Sequence, residues 1–199
     1  PEVEAEAQRV ARPVGSAEEA GRTDFRSWLT VTIDPETARD HDDAVGIERR
    51  RDGGYRLAVH IADVAYYVRE GGVLDQEAYL RGTSVYFPDR VVPMLPHALS
   101  SDVCSLVEGR DRLTQSVVID LDAAGRVEKA AFHDGLIRSA ARLSYQQAQA
   151  IVGGEAEARQ RFAPLVASLL AMDELAKLMR QRRYERGSLD FDLPEPKLV

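Results

Sequence analysis

Apolar positions change their spacing along the chain. Residues 28–33, 44–50, 55–62 and 83–87 are short runs rich in β-branched and aromatic side chains and read as strands. Residues 114–121 alternate, and 126–133 return after a 122–125 turn. Asp52-Gly53-Gly54 is a second hairpin signal, between the strands at 44–50 and 55–62. Helical spacing dominates later. Ser144 is placed to cap a helix over 145–152, which Gly153-Gly154 ends. Residues 155–186 form one long helical region, with Leu165, Leu169, Met172, Leu175, Ala176 and Met179 at three- and four-residue spacing. Pro164 starts a new helix or kinks this one, and Gly187 fits a C-cap.

Shorter pieces complete the outline. Residues 3–11 read as a helix ended by Pro13, and 15–26 as an exposed polar linker. Residues 74–80 read as a short helix, and Ser100 and Ser101 as caps of another running to 106. Pro88, Pro93 and Pro96 make a rigid irregular loop, and 188–199 look extended. Strands first and helices later give an α+β fold: a mixed β-sheet packed by a long C-terminal helical region. The expected division is a helix and linker over 1–27, then a domain over 28–199.

One stretch breaks the pattern. Asp34, Asp40, Asp42 and Asp43 fall within ten residues, between two segments that want to be buried. Carboxylates gathered at the rim of a sheet repel one another and lose hydration unless a cation or strong donors compensate. On an irregular loop these acids can converge. Without Cys or His partners they favour Mg²⁺, or alternatively Mn²⁺, over zinc. Two such ions could activate water and stabilise the leaving oxygen in phosphodiester cleavage. An EF-hand fails on spacing, because counting from Asp40 puts Val45 at the sixth position and Arg51 at the twelfth. A phosphate-accepting Asp-x-Asp lacks its following Thr, and a solvated acidic loop stays open as the plain reading. His41 alternates out of the carboxylate set and His60 lies in an apolar strand, so both read as structural. Asp63 reads as a cap.

Composition narrows the class. The 199 residues are 44% hydrophobic and 30% charged, enough for one sizeable core. A net charge of −7 gives no global basic field, although a local basic groove can sit on an acidic protein. The lone Cys104, between apolar neighbours, reads as a buried thiol in a reducing compartment. No run approaches the ~18 apolar residues of a membrane helix. The first residues carry no signal peptide pattern, so a cytoplasmic location is expected, with no membrane partner.

Further motifs follow in order: His60-Ile-Ala-Asp-Val64 with Tyr66-Tyr67-Val68, Leu74-Asp75, Arg81-Gly-Thr-Ser-Val-Tyr-Phe-Pro88, Val92-Pro-Met-Leu-Pro96, Leu99-Ser100, Cys104-Ser-Leu106, and Arg186-Gly187 with Leu189-Asp190-Phe191. Together with Ile33-Asp34-Pro35 and Asp40-His41-Asp42-Asp43-Ala44, they resemble the catalytic (RNB) domain of the ribonuclease II / ribonuclease R family, nearer the ribonuclease R branch. The resemblance implies processive 3′-to-5′ hydrolysis of RNA to nucleoside 5′-monophosphates with Mg²⁺. It assigns metal ligation to Asp34 and Asp43, an assisting role to Asp40, and a role in the chemical step to Asp42. It assigns Tyr86 and, by similarity of context, Phe191 to an aromatic clamp on the 3′-terminal bases of single-stranded RNA. The family's later segment, with a Glu and an Arg that contacts the scissile phosphate, has no counterpart here. The implied partner is therefore a complementary segment of the same enzyme, and the alternative function is a catalytically incomplete RNA- or partner-binding piece. Arg81, Arg90, Arg110, Arg112, Arg138 and Arg142 could meet RNA, though a solvated face suits most of them.

Overall fold

A computed structural model describes residues 1–87 and 89–189. Its main element is a seven-stranded mixed sheet in the order β1-β8-β7-β4-β3-β2-β9. The strands are β1 (Thr23–Asp24), β2 (Thr30–Asp34), β3 (Asp43–Arg49), β4 (Tyr55–Ala62), β7 (Asp111–Leu121), β8 (Val127–Arg138) and β9 (Ala141–Ser144). The centre is antiparallel, while β1 on β8 and β9 on β2 are parallel. The hairpin of β5 (Val85–Tyr86) and β6 (Val91–Val92) stands apart as a second small sheet.

Each face of the sheet has its own layer. Period-2 alternation sends Tyr55 and Leu57 of β4 to a cluster with Leu121, Ala171 and Leu175. Ala62 goes to the opposite cluster, with Phe25, Leu74, Leu99 and Leu106. The first layer is α5 (Tyr145–Gly153), α6 (Ala156–Arg161) and α7 (Val166–Glu185). The other holds α1 (Glu2–Val10), α3 (Val64–Tyr67) and α4 (Val73–Arg81). A four-residue α2 (Ser16–Glu19) precedes β1.

Ser144 and Gln147 form a capping box on α5, and Gly154 ends it with φ 94°, a conformation that suits glycine. Pro164 starts a 3₁₀ turn over Ala163–Leu165, so the long helical region is two helices. Leu165, Leu169 and Leu175 of its apolar stripe are buried, whereas Ala176 and Met179 are exposed on the outer side of α7. Truncating Leu169 to Ala would cost about 2–5 kcal/mol.

Three local readings change. The stretch 15–26 contains α2 and β1, and Phe25 is buried, because β1 finds the free edge of β8. Leu99–Val103 is a π-helical turn without a side-chain cap, so Ser100 and Ser101 do not act as N-caps. The four-residue β9 carries too short a pattern to be read from sequence.

Candidate functional site

β2 ends at Asp34, and Pro35 turns the chain out of the sheet, with the Ala38 N–H donating to the Pro35 carbonyl at 3.0 Å. The chain re-enters the sheet at Asp43, paired with Ile61. Beside it the Ala62 N–H donates to the Asp42 carbonyl at 2.9 Å. Asp34, Asp40, Asp42 and Asp43 thus stand around one loop at one rim.

The loop is anchored by side chains from distant parts of the chain. The Ser105 hydroxyl accepts the His41 N–H at 3.0 Å and donates to the Arg39 carbonyl at 3.3 Å. The Leu106 N–H donates to the His41 carbonyl at 2.8 Å. Arg112, itself buried, donates to the Ser105 carbonyl at 2.7 Å. From the other side, Arg142 Nη2 donates to the carbonyls of Glu36 at 2.6 Å and Ala38 at 3.2 Å. These bonds hold a loop that like charges would otherwise push open.

His41 corrects the reading of it as outside the carboxylate set. Its ring is 2% exposed, and Nδ1 lies 2.9 Å from Asp34 Oδ2. Alternation decides the face of a residue on a strand, but residue 41 lies on a loop, where it points inward. Tyr86 also arrives at the site: its hydroxyl donates to Asp40 Oδ2 at 3.1 Å while the side chain stays exposed. Phe191, the other clamp residue, lies outside the described residues.

Partial loss of hydration holds the Asp42 carboxyl above its ordinary range, and the charges of Asp40, Asp43 and Asp34 push it further. Desolvation and the charge of Asp34 do the same to Asp43. The Tyr86 hydroxyl is raised mainly by the Asp40 charge. Both acids therefore carry their negative charge at a cost at neutral pH, a cost that a cation would relieve. Among the described residues, no group of three or more His, Cys, Asp or Glu side chains forms a metal cage. Mg²⁺ does not require one, since it commonly takes one or two carboxylates and fills its octahedron with water and phosphate oxygens. The donor chemistry therefore fits a hard divalent cation.

The other titratable groups are structural. His60 is fully buried, bonds Ser116 Oγ through Nδ1 at 2.8 Å, and is pushed down to about 4 by burial. Burial also pushes the Cys104 thiol up to about 12. Asp63 caps α3 and pairs with Arg22 at 2.6 Å. Of the six arginines, Arg112 is buried, Arg138 pairs with Asp111, Arg81 with Glu77 and Arg90 with Asp89, Arg142 serves the loop, and Arg110 is exposed. Ser105 lies in the Cys104-Ser-Leu106 motif and Arg142 among the candidate RNA-contacting arginines, but nothing in the sequence marks either as a support of the loop, because a bond to a backbone carbonyl needs no matching residue type.

The RNB domain matches residues 22–199. The chain belongs to the RNB family. Among curated RNB relatives, ribonuclease R of Aquifex aeolicus is 43% identical over 194 residues, 98% of this chain and 28% of that protein. Ribonuclease R of Escherichia coli is 43% identical over 197 residues, 99% of this chain and 24% of that protein. Among solved structures, Mycoplasma genitalium RNase R in complex with ribose-methylated single-stranded RNA matches with a TM-score of 0.85 and 32% identity, covering 94% of this chain and 29% of that one. The chain therefore spans about a quarter of the length of these RNB relatives, and its mixed sheet is the RNB architecture.

Proposed function

We propose that this chain carries the carboxylate half of a 3′-to-5′ exoribonuclease centre that hydrolyses RNA processively with Mg²⁺, or Mn²⁺, and releases nucleoside 5′-monophosphates. One observation carries the reading. Four carboxylates, of which Asp42 and Asp43 have their proton affinity raised by burial and by neighbouring acids, share a rim with an exposed tyrosine whose hydroxyl reaches Asp40. RNA recognition is supported by the RNA-bound state of the Mycoplasma genitalium relative.

Asp34, Asp40, Asp42 and Asp43 would hold the ion or ions. When bound, these would lower the pKa of an attacking water and stabilise the departing 3′ oxygen. The rest falls to the chain's own side chains. His41 holds one oxygen of Asp34 and so orients that carboxylate. Ser105 and Arg142 hold the loop backbone, so the carboxylates keep their spacing as substrate arrives. Tyr86 offers a ring on which a terminal base can stack whatever its identity, worth ~1–3 kcal/mol per base. Phe191 would supply the facing ring. A complementary segment of the same enzyme would supply the contacts to the scissile phosphate, and the single-stranded 3′ end would be the substrate. The reduced, buried Cys104 suits a cytoplasmic setting.

A second reading, an RNA-binding piece that does not cut, is favoured by the absence of a complete metal cage among the described residues. One assay separates the two. Labelled single-stranded RNA is incubated with Mg²⁺ or with a chelator, using this chain alone and with its complementary segment. Mg²⁺-dependent 5′-monophosphates from the 3′ end support the exonuclease. Binding without products in either mixture selects the second reading.

A further inference from the structure

A cleft of about 260 Å³ opens between α1 and α3, lined by Glu6, Arg9, Arg12, Glu18, Tyr66 and Arg69 among others. Its two acids are already occupied. Both oxygens of Glu6 accept from Arg9, at 2.8 and 2.6 Å. Glu18 accepts the Gly15 N–H at 3.0 Å through one oxygen and the Tyr66 hydroxyl at 3.3 Å through the other. Two guanidinium groups are left over. Arg12 donates to the Arg9 carbonyl at 3.0 Å and has no ion-pair partner among the described residues. Arg69 lies over the Tyr66 ring at 5.5 Å and likewise has none. Arg22, locked onto Asp63 at 2.6 Å, holds the same ring at 5.3 Å, so the platform under Arg69 is fixed from below. With three arginines against two glutamates the cleft is locally basic in a chain of net charge −7, although the charge of Glu18 partly balances Arg12.

The cleft sits at the same end of the sheet as the acidic loop. α3 begins one residue after its Asp63 cap, directly beyond the Ala62 that bonds the Asp42 carbonyl. A strand of RNA whose 3′ end reaches the carboxylates and which runs along that end would bring phosphates that need cations the acidic rim cannot provide. Both arginines are exposed in an open groove, which suits a polyanion passing through better than an enclosed small anion.

We propose that this cleft is a phosphate subsite for the backbone of single-stranded RNA upstream of its 3′ end, with Arg12 and Arg69 as the phosphate contacts and Tyr66 as the residue that positions Arg69. The subsite rests on the RNA reading of the acidic centre, but not on its cutting activity.

The test measures fluorescence polarisation of two labelled single-stranded RNAs on the full chain, in chelator and over a range of KCl. One RNA is just long enough to fill the acidic rim and the other is several times longer. Arg12→Ala/Arg69→Ala should weaken the longer RNA about tenfold at low salt and leave the short one unchanged. It should also reduce the slope of log affinity against log salt by about 1.4, the share of two single-strand phosphate contacts. Arg12→Lys/Arg69→Lys should restore most of the slope. Unchanged binding of the longer RNA, equal losses for both lengths, or a parent chain that binds neither would overturn the subsite. Displacement of the longer RNA by an equal concentration of inorganic phosphate would overturn the RNA assignment in favour of a free anion. Arginine-dependent binding together with a failure to cut when Mg²⁺ and the complementary segment are added would leave the subsite standing and remove the exonuclease reading.

Discussion

At the rim, four carboxylates stand on a loop, and at least two are held as anions against their own desolvation and their neighbours' charge. In the sheet interior, His60 bonds Ser116 at 2.8 Å, Ser116 bonds Thr114 at 2.8 Å, and burial keeps the imidazole neutral. The two regions are neighbours on one strand pair, since Ile61 faces Asp43 and His60 faces Ala44, yet they treat ionisable groups differently. The interior removes charge. The rim keeps charge and answers it with hydrogen bonds to the backbone rather than with opposite charge on the acids. Uncompensated charge at the rim is what a cation-binding site needs before its cation arrives. Neutral polar groups in the interior add specificity without such a demand.

The sharpest way to break this contrast is Asp42→Asn in the complete enzyme. Cleavage should fall a thousandfold or more, roughly 4 kcal/mol of barrier, while RNA binding stays nearly intact. Equal losses in a nuclease assay and in RNA titration would remove Asp42 from the chemical step. The interior gives the next largest effect. An unfolded histidine takes up a proton near pH 6.5, whereas folded His60 refuses it until about pH 4. Between those values the unfolded chain binds more protons, so stability should fall as the pH falls, by about 3 kcal/mol in all. Denaturant melts across that window should show the slope, and His60→Asn should flatten it.

Gly135 tests how tightly the interior is closed. A Cβ there would lie 2.4 Å from Ser116 Oγ and 2.7 Å from Thr114 Oγ1. Gly135→Ala should therefore cost about 1–3 kcal/mol, read from the same melts. At the rim, Tyr86→Ala should leave the melting curve unchanged, because the side chain is exposed. It should weaken the hold on the last bases by ~1–3 kcal/mol and lengthen the limit product. An unchanged product ladder on a sequencing gel would take Tyr86 out of the clamp. The smallest effect belongs to Ser105→Ala. Losing two bonds to the loop should cost about 1–2 kcal/mol of stability, and a loss of activity beyond that would show that loop spacing matters to the chemistry.

The interior was more legible in the sequence than the rim. β4 matches its apolar run residue for residue, and Ser144 caps α5 as its position indicates. Those signals are local, carried by period and by capping chemistry. The four aspartates were legible as a group because they interrupt two strands. Their supports were not: Ser105 and Arg142 act across 66 and 104 residues. His41 escapes the alternation rule because that rule holds on a strand and residue 41 lies on a loop. β1 and β9 were invisible for another reason. Each is too short to show a pattern, and each exists because a longer strand offers it an edge.

The pairing of β9 with β2 also bears on when the centre can form. Asp34 has Ser144 as its register partner, far later in the chain, and Arg142, two residues before it on the same strand, clasps the acidic loop. During synthesis the β3–β4 hairpin can close early, since its halves are near neighbours. The Asp34 side of the loop stays unfastened until the residues around 142 have emerged and docked. A nascent chain would therefore form most of this sheet before the acidic loop is fastened on both sides, so the spacing of the aspartates is set by a late contact rather than by the early hairpin.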